Sequence, residues 1–176
     1  MALKKIDIKE LTVNPMTLIS DEWLLITAGN QERGYNTMTA CWGHMGAIWG
    51  QGKGLPTTVI YIRPQRYTKE FIDWEQLYTL SFFPKKYKKA LAYLGTHSGR
   101  DGDKISEAGL TPVFGTDSTW FEEAKLVLVC RKLYHAPLLE EGFTDRQIVE
   151  RNYPERDFHE MYIGEIVAAY FDSDKE

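Results

Sequence analysis

The sequence predicts a mainly β protein of the α+β class: an antiparallel sheet closed on itself as a β-barrel and decorated by short helices. Three observations predict it. Strand-like runs dominate: Glu22 to Thr27, Asn36 to Trp42, Thr57 to Arg63, Leu77 to Phe83, Lys125 to Tyr134 and Met161 to Tyr170. The helical stretches between them are short, and none repeats as a crossover between parallel strands. No internal repeat, low-complexity segment or Ser/Pro-rich linker divides the 176 residues, so residues 1–176 read as one domain large enough to bury a core.

The individual elements follow from local chemistry. Thr57-Thr-Val-Ile-Tyr-Ile-Arg63 is β-branched and aromatic, and Lys125-Leu-Val-Leu-Val-Cys130 reads as a strand buried on both faces. Thr68 is placed to cap a helix over Lys69 to Trp74. Lys85 to Leu94 carries Tyr87, Leu91 and Leu94 on one stripe and ends at Gly95, a residue suited to a left-handed C-cap. Asp103 is placed to cap Lys104 to Ala108, closed by Gly109, and Thr144-Asp-Arg-Gln147 has capping-box spacing.

Composition excludes several classes. Hydrophobic residues make up 43% and charged residues 26%, values of a globular chain rather than a disordered one. The formal net charge of −4 argues against a nucleic-acid surface, so any anionic ligand must be held by a local cluster of basic groups. Cys41 and Cys130 are too few for a disulfide framework and read as cytosolic thiols. The N-terminus lacks a signal-peptide apolar run, and nothing approaches the ~20 apolar residues needed to span a bilayer. The expectation is a cytoplasmic protein with no membrane segment.

Three stretches carry candidate chemistry. Asn36-Thr37-Met38-Thr39-Ala40-Cys41-Trp42-Gly43 sits where a strand belongs but bears hydroxyls and small side chains, leaving its backbone approachable. It suits a flat, polar-edged ligand with Trp42 as apolar neighbour; an ordinary edge strand fits the same residues. In Tyr61-Ile-Arg63-Pro64-Gln65-Arg66-Tyr67-Thr68, two guanidinium groups, a hydroxyl and a helix N-terminus converge, as a phosphate monoester requires; two surface arginines pairing with Glu70 and Asp73 are the alternative. In Gly95-Thr-His97-Ser98-Gly99-Arg100-Asp-Gly-Asp-Lys104, glycine, hydroxyls and two cations form a nest able to wrap phosphate or ribityl oxygens.

These stretches, with Leu80-Ser81-Phe82-Phe83 and Met161-Tyr-Ile-Gly-Glu-Ile166, resemble in order the motifs of the flavin reductase family, and most of all its flavoredoxin-containing subgroup, from about Leu18 to Val167. The resemblance implies an FMN-binding split β-barrel, a homodimer with FMN sites near the interface. It implies non-covalent FMN, with NADH or NADPH as electron donor and hydride passing between nicotinamide and flavin. The backbone of Asn36, Thr37, Met38, Thr39, Ala40, Cys41 and Trp42 would then face the isoalloxazine ring. Arg63, Arg66, Thr68, Ser98, Arg100 and Lys104 would hold or flank the phosphate, and Tyr67 and Gly99 would belong to the same cofactor site. His97 would bond flavin or phosphate or else face water, and Ser81, Phe82 and Phe83 would line the same cavity. No protein side chain is assigned a catalytic role, because the flavin carries the chemistry. Alternatives are a flavoredoxin-like electron carrier serving a redox partner protein without turnover of its own, and a non-enzymatic FMN-binding domain in which Cys41 reports oxidation.

The chain departs from the family pattern at Cys41, where a smaller residue is common, and at Gly50-Gln-Gly-Lys-Gly54, which lengthens the turn after Trp49. That glycine run imitates a dinucleotide fingerprint but is followed by Leu55-Pro56 and a strand rather than a helix. His44, His97, His135 and His159 have no metal-site spacing. Trp74 and Trp120-Phe121 read as core or dimer-contact aromatics.

Overall fold

The computed structural model describes residues 3–175. After β1 (Lys4–Ile6), Asn14 accepts from the Met16 N–H and starts α1 (Pro15–Thr17), with Pro15 at the helix start; a π-helical turn, Leu18–Glu22, follows. Then come β2 (Leu24–Asn30), β3 (Gly34–Ala40), β4 (Gly43–Ile48), β5 (Leu55–Ile62), α2 (Tyr67–Trp74) and β6 (Leu77–Phe82). Next are α3 (Lys88–Thr96), α4 (Lys104–Glu107), β7 (Pro112–Gly115), β8 (Ser118–Phe121), β9 (Leu126–Pro137), α5 (Arg146–Asn152) and β10 (Glu160–Phe171).

All pairings are antiparallel, in the order β3-β2-β6-β9-β10-β5-β4, with β1 on β10 and a separate β7-β8 hairpin. The two end strands are joined through Cys41 and Trp42 yet are not hydrogen-bonded to each other, so the ladder is split there rather than closed as the strand pattern alone suggested. The sheet still curls. Met38 and Ala40 from one end and Met45 from the other pack into one interior core with Leu24, Ile26, Tyr78, Phe82 and Leu128. The outer face of β2, β6 and β9 carries a second core, in which Leu25, Phe83 and Val127 meet Leu91 and Leu94 of α3 and Ile105 of α4. Period-2 alternation thus serves two layers: even-numbered residues of β2 point into the barrel, and Leu25 points to the helices.

The structure corrects several local expectations. β4 was missed because its two glycines, Gly43 and Gly46, mask any strand pattern; the glycine-rich segment after Trp49 is the connection of the β4-β5 hairpin. Thr68 does not cap α2: Arg66 holds the N-cap position, and Thr68, one turn-step inside, is buried with its oxygen taken by Asn36. Gly95 is no C-cap either. α3 runs through it to Thr96, and Gly95 instead lets helix and strand pack closely, since a Cβ there would lie 3.3 Å from the Thr39 Cβ. Asp145, not Thr144, caps α5 by accepting from the Gln147 N–H, while Asp103 caps α4 as expected. Trp74 is 90% exposed and belongs to no core, whereas Phe121 is fully buried. Among the described residues no helix is long and apolar enough to cross a membrane, and no group of three or more His, Cys, Asp or Glu side chains converges to hold a metal.

Candidate functional site

The split in the sheet defines a groove. β3 pairs with β2 on one side only, so its other edge offers unpaired main-chain groups. Along that edge lie two adjoining hollows that share Met38 and Arg66. One, of about 120 Å³, is bounded by Asn36, the start of α2 and the loop from Thr96 to Gly99; the other, of about 160 Å³, by Met38 to Trp42, Tyr61, Arg63 and His159.

The smaller hollow is a nest of donors. Tyr67 and Thr68 open α2, and their N–H groups, like those of Ser98 and Gly99, have no hydrogen-bond partner among the described residues. Asn36 Nδ2 donates to Thr68 Oγ1 (2.8 Å), which leaves the Thr68 hydroxyl proton free to donate elsewhere. Gly99 is required where it stands, because a Cβ there would fall 2.3 Å from Asn36 Oδ1. Two cations line the nest and no Asp or Glu does. Arg66 is exposed, and among the described residues its guanidinium bonds only the Gly95 carbonyl (3.3 Å). Lys104 is 5% exposed, and its ammonium donates to the carbonyls of Leu94 (3.1 Å) and His97 (2.9 Å), keeping one N–H in reserve. Burial, and then the neighbouring Arg66 charge, pull its pKa down to about 8. A buried ammonium with no carboxylate partner is costly to maintain, and an arriving anion relieves that cost.

The larger hollow is a seat of mixed polar and apolar lining, and His159, at the end of a strap (residues 138–159) that joins β9 to β10 and carries α5, forms one wall. His159 tilts against Trp42 (ring centroids 5.0 Å apart), and its Nδ1 shares a hydrogen bond with the Tyr153 hydroxyl (2.9 Å). Burial, then the Arg63 charge, push His159 down to about 4, so its ring is neutral at pH 7.

The residues expected from sequence divide clearly. Asn36, Met38, Arg66, Tyr67, Thr68, His97, Ser98, Gly99 and Lys104 line the nest; Met38, Thr39, Ala40, Cys41, Trp42, Arg63 and Arg66 line the seat. Thr37 turns to the opposite face and bonds Thr27 Oγ1 (2.8 Å) and the Ile26 carbonyl (3.2 Å), while Thr39 Oγ1 donates to the Leu91 carbonyl (2.5 Å), tying β3 to α3. Arg63 points its guanidinium away from the nest, to Asp157 Oδ2 (2.5 Å) and the Asn152 carbonyl (2.7 Å), over the Tyr153 ring. Arg100 pairs with Glu70 and the Gln65 carbonyl and lies over the outer face of Tyr67. The His97 side chain is exposed and stacks on Tyr93, so its contribution to the nest is the carbonyl that fixes Lys104. Ser81, Phe82 and Phe83 are buried in the two cores and line neither hollow; Ser81 Oγ has no partner among the described residues. Sequence reading missed Tyr61, Thr96, Tyr153 and His159. Of these, only Tyr61 and Thr96 carried a signal, lying inside the quoted motifs; nothing local marks a single histidine on the far strap.

The family model described as "Flavin reductase like domain" matches residues 16–176. Similar solved structures include an FMN-binding domain of a flavin reductases-like enzyme from Shewanella baltica, with TM-score 0.67 and 14% identity, covering 97% of this chain and 78% of that one. Flavoredoxin from Desulfovibrio vulgaris is similar at TM-score 0.64 and 21% identity, over 97% and 78% of the two chains. The NADH:FAD oxidoreductase SgcE6 of Streptomyces globisporus follows at TM-score 0.63 and 13% identity, over 88% and 78%. No curated protein matches the sequence. At these identities the structures establish the split-barrel fold.

Proposed function

Because the chain belongs to the flavin reductase like domain family, we propose that it binds FMN non-covalently in this groove and acts as a flavin reductase with NADH or NADPH as electron donor. The observation that carries the reading is the nest: a buried, unpaired Lys104, Arg66, unpartnered N–H groups and a free Thr68 hydroxyl, with no carboxylate in its lining. A phosphate monoester, nearly dianionic with strong acceptor oxygens, fits that donor set. Beside the nest, the stretch Met38 to Trp42 is a seat for a flat ring, with β3's open edge offering main-chain groups to the ring's polar rim. Bound flavin supplies hydride and single-electron chemistry. The chain's own part is to hold the phosphate, orient the ring and exclude water with Trp42 and the uncharged His159.

A yellow preparation with an FMN spectrum, and steady oxidation of NADH or NADPH with added flavin, are the expected results. Protein that stays colourless with FMN overturns the reading. FMN affinity should also be bell-shaped in pH. It rises through about pH 6 as the phosphate loses its second proton. It falls above about 8, where free Lys104 is neutral and binding must take up a proton, by up to about tenfold per pH unit.

The likeness to flavoredoxin supports a second reading, an electron carrier that serves a redox partner protein. Reduction by dithionite with no turnover of either nucleotide would select it. Two free thiols, Cys41 exposed and Cys130 buried, accord with a cytoplasmic setting. We also propose a homodimer. Among the described residues β4 pairs with β5 only and leaves Ile48 (42%) and Trp49 (49%) exposed on or beside its free edge. Sedimentation should show a dimer that Ile48→Glu with Trp49→Glu converts to monomer; a wild-type monomer rules the dimer out.

A further inference from the structure

Beside the ring seat lies a larger hollow of about 690 Å³. Its walls come from four stretches far apart in sequence: Met16 and Ile19 near α1, Trp42 at the β3-β4 corner, Tyr61 of β5, and Leu138 and Ile148 of the strap. It adjoins the seat, sharing Cys41, Trp42 and Tyr61 with it. None of its lining residues is Asp, Glu, Lys or Arg, in contrast to the nest. Large apolar side chains stand open there: Met16 is 69% exposed, Trp42 44% and Ile148 43%. One polar handle is built in, since the Tyr61 hydroxyl and His44 Nδ1 share a hydrogen bond at 3.3 Å. The strap wall is pinned by Arg63, which holds both Asp157 and the Asn152 carbonyl at the end of α5.

We propose that this chamber binds a neutral, planar aromatic compound of one or two rings bearing an uncharged phenol or carbonyl group. Its volume falls within the roughly 300–1,000 Å³ range of small-molecule pockets, and its walls are of the apolar kind that such pockets use. A charged ligand would leave water and meet no opposite charge, which is unfavourable; the phosphates of a dinucleotide would find no cation here. A hydroxyl or carbonyl meets Tyr61 and His44, which between them can donate and accept. The chamber is formed by the polypeptide alone, so this proposal stands independently of the flavin reading.

Equilibrium dialysis of naphthol and of naphthalenesulfonate, with and without FMN, tests it on the wild type, Ile148→Asp and Met16→Asp. Both positions are exposed and line neither the nest nor the ring seat, so the variants should melt and bind FMN like the wild type. Saturable one-to-one binding of naphthol is expected, weakened about tenfold or more for the sulfonate and in either variant. The proposal is overturned by no saturable naphthol binding, by equal binding of the sulfonate, or by unaltered binding in both variants. A wild-type dimer that Ile148→Asp splits also overturns it, since a second copy then fills the chamber. Loss of FMN binding with naphthol binding intact leaves this proposal standing and removes the flavin reading.

Discussion

Lys104→Met is expected to weaken FMN binding about a hundredfold at pH 7 while leaving thermal stability close to that of the wild type. The affinity loss follows from removing the buried cation of the nest; a charge-assisted hydrogen bond contributes roughly 1.5–3 kcal/mol, and about 3 kcal/mol is a hundredfold. Stability should hardly move because Lys104 opposes folding as well as serving it. Its pKa falls from 10.5 to about 8, which corresponds to roughly 3 kcal/mol of strain on the charged form, from burial first and then from the Arg66 charge. Its bonds to the Leu94 and His97 carbonyls offset that strain. The pH dependence has a definite sign. Between about 8 and 10.5 the unfolded chain keeps a proton that the folded chain has lost, so wild-type stability without ligand gains with rising pH across that window. Lys104→Met should lose that gain. Urea titrations at pH 7 and pH 10, alongside FMN titrations, provide both readings. A large drop in stability with unchanged FMN affinity would make Lys104 a structural residue and remove it from the site.

Arg63→Met is expected to loosen the strap rather than empty the nest. Arg63 and Asp157 are largely shielded, with side chains 24% and 21% exposed, and removing the arginine leaves Asp157 with Gln65 alone and strips the Asn152 carbonyl and the face of Tyr153 of their partner at once. A loss of about 2–3 kcal/mol is expected, less than the full cost of breaking a wholly buried pair. Amide exchange should quicken across residues 138–159 and stay unchanged in β2, β6 and β9. Acid should act on the same contact. Gln65 and Arg63 hold the Asp157 carboxyl below its ordinary range, so its contribution is present above that range and disappears as the pH drops through the lowered value. FMN affinity should change far less than in Lys104→Met. A collapse of FMN affinity with normal exchange in the strap would instead make Arg63 a phosphate ligand, the role its sequence neighbourhood suggested.

How much of the site was legible depended on how far apart the interacting groups lie along the chain. Asp103 as a helix cap was legible, because a cap and its helix are three residues apart. The nest was legible in part for the same reason: Arg66, Tyr67 and Thr68 are contiguous, and so are Ser98 and Gly99. The N-terminus of α2 and the C-terminus of α3 were misjudged where a distant strand claimed the residue, Asn36 taking Thr68 and Thr39 packing against Gly95. β4 stayed hidden because glycine carries no side-chain pattern for alternation to display.

By itself the sequence determined the mainly antiparallel sheet with short helices, the family, and the residue types that gather along β3 and before α2, since hydrophobic period, turn chemistry and motif order are all written locally. The tertiary structure decided which basic groups are free. Arg63, Arg66, Arg100 and Lys104 look alike in sequence, yet Arg63 is neutralised by a carboxylate 94 positions away and Arg100 by one 30 positions away. Arg66 and Lys104 are left to face the nest. The structure also split the barrel at Cys41–Trp42 and brought His159 and Ile148 of the strap to that opening. The reason is physical. A charge acts through its nearest neighbours in space and through its loss of water, and both are set by chain segments that meet only when the sheet curls and the strap is pinned.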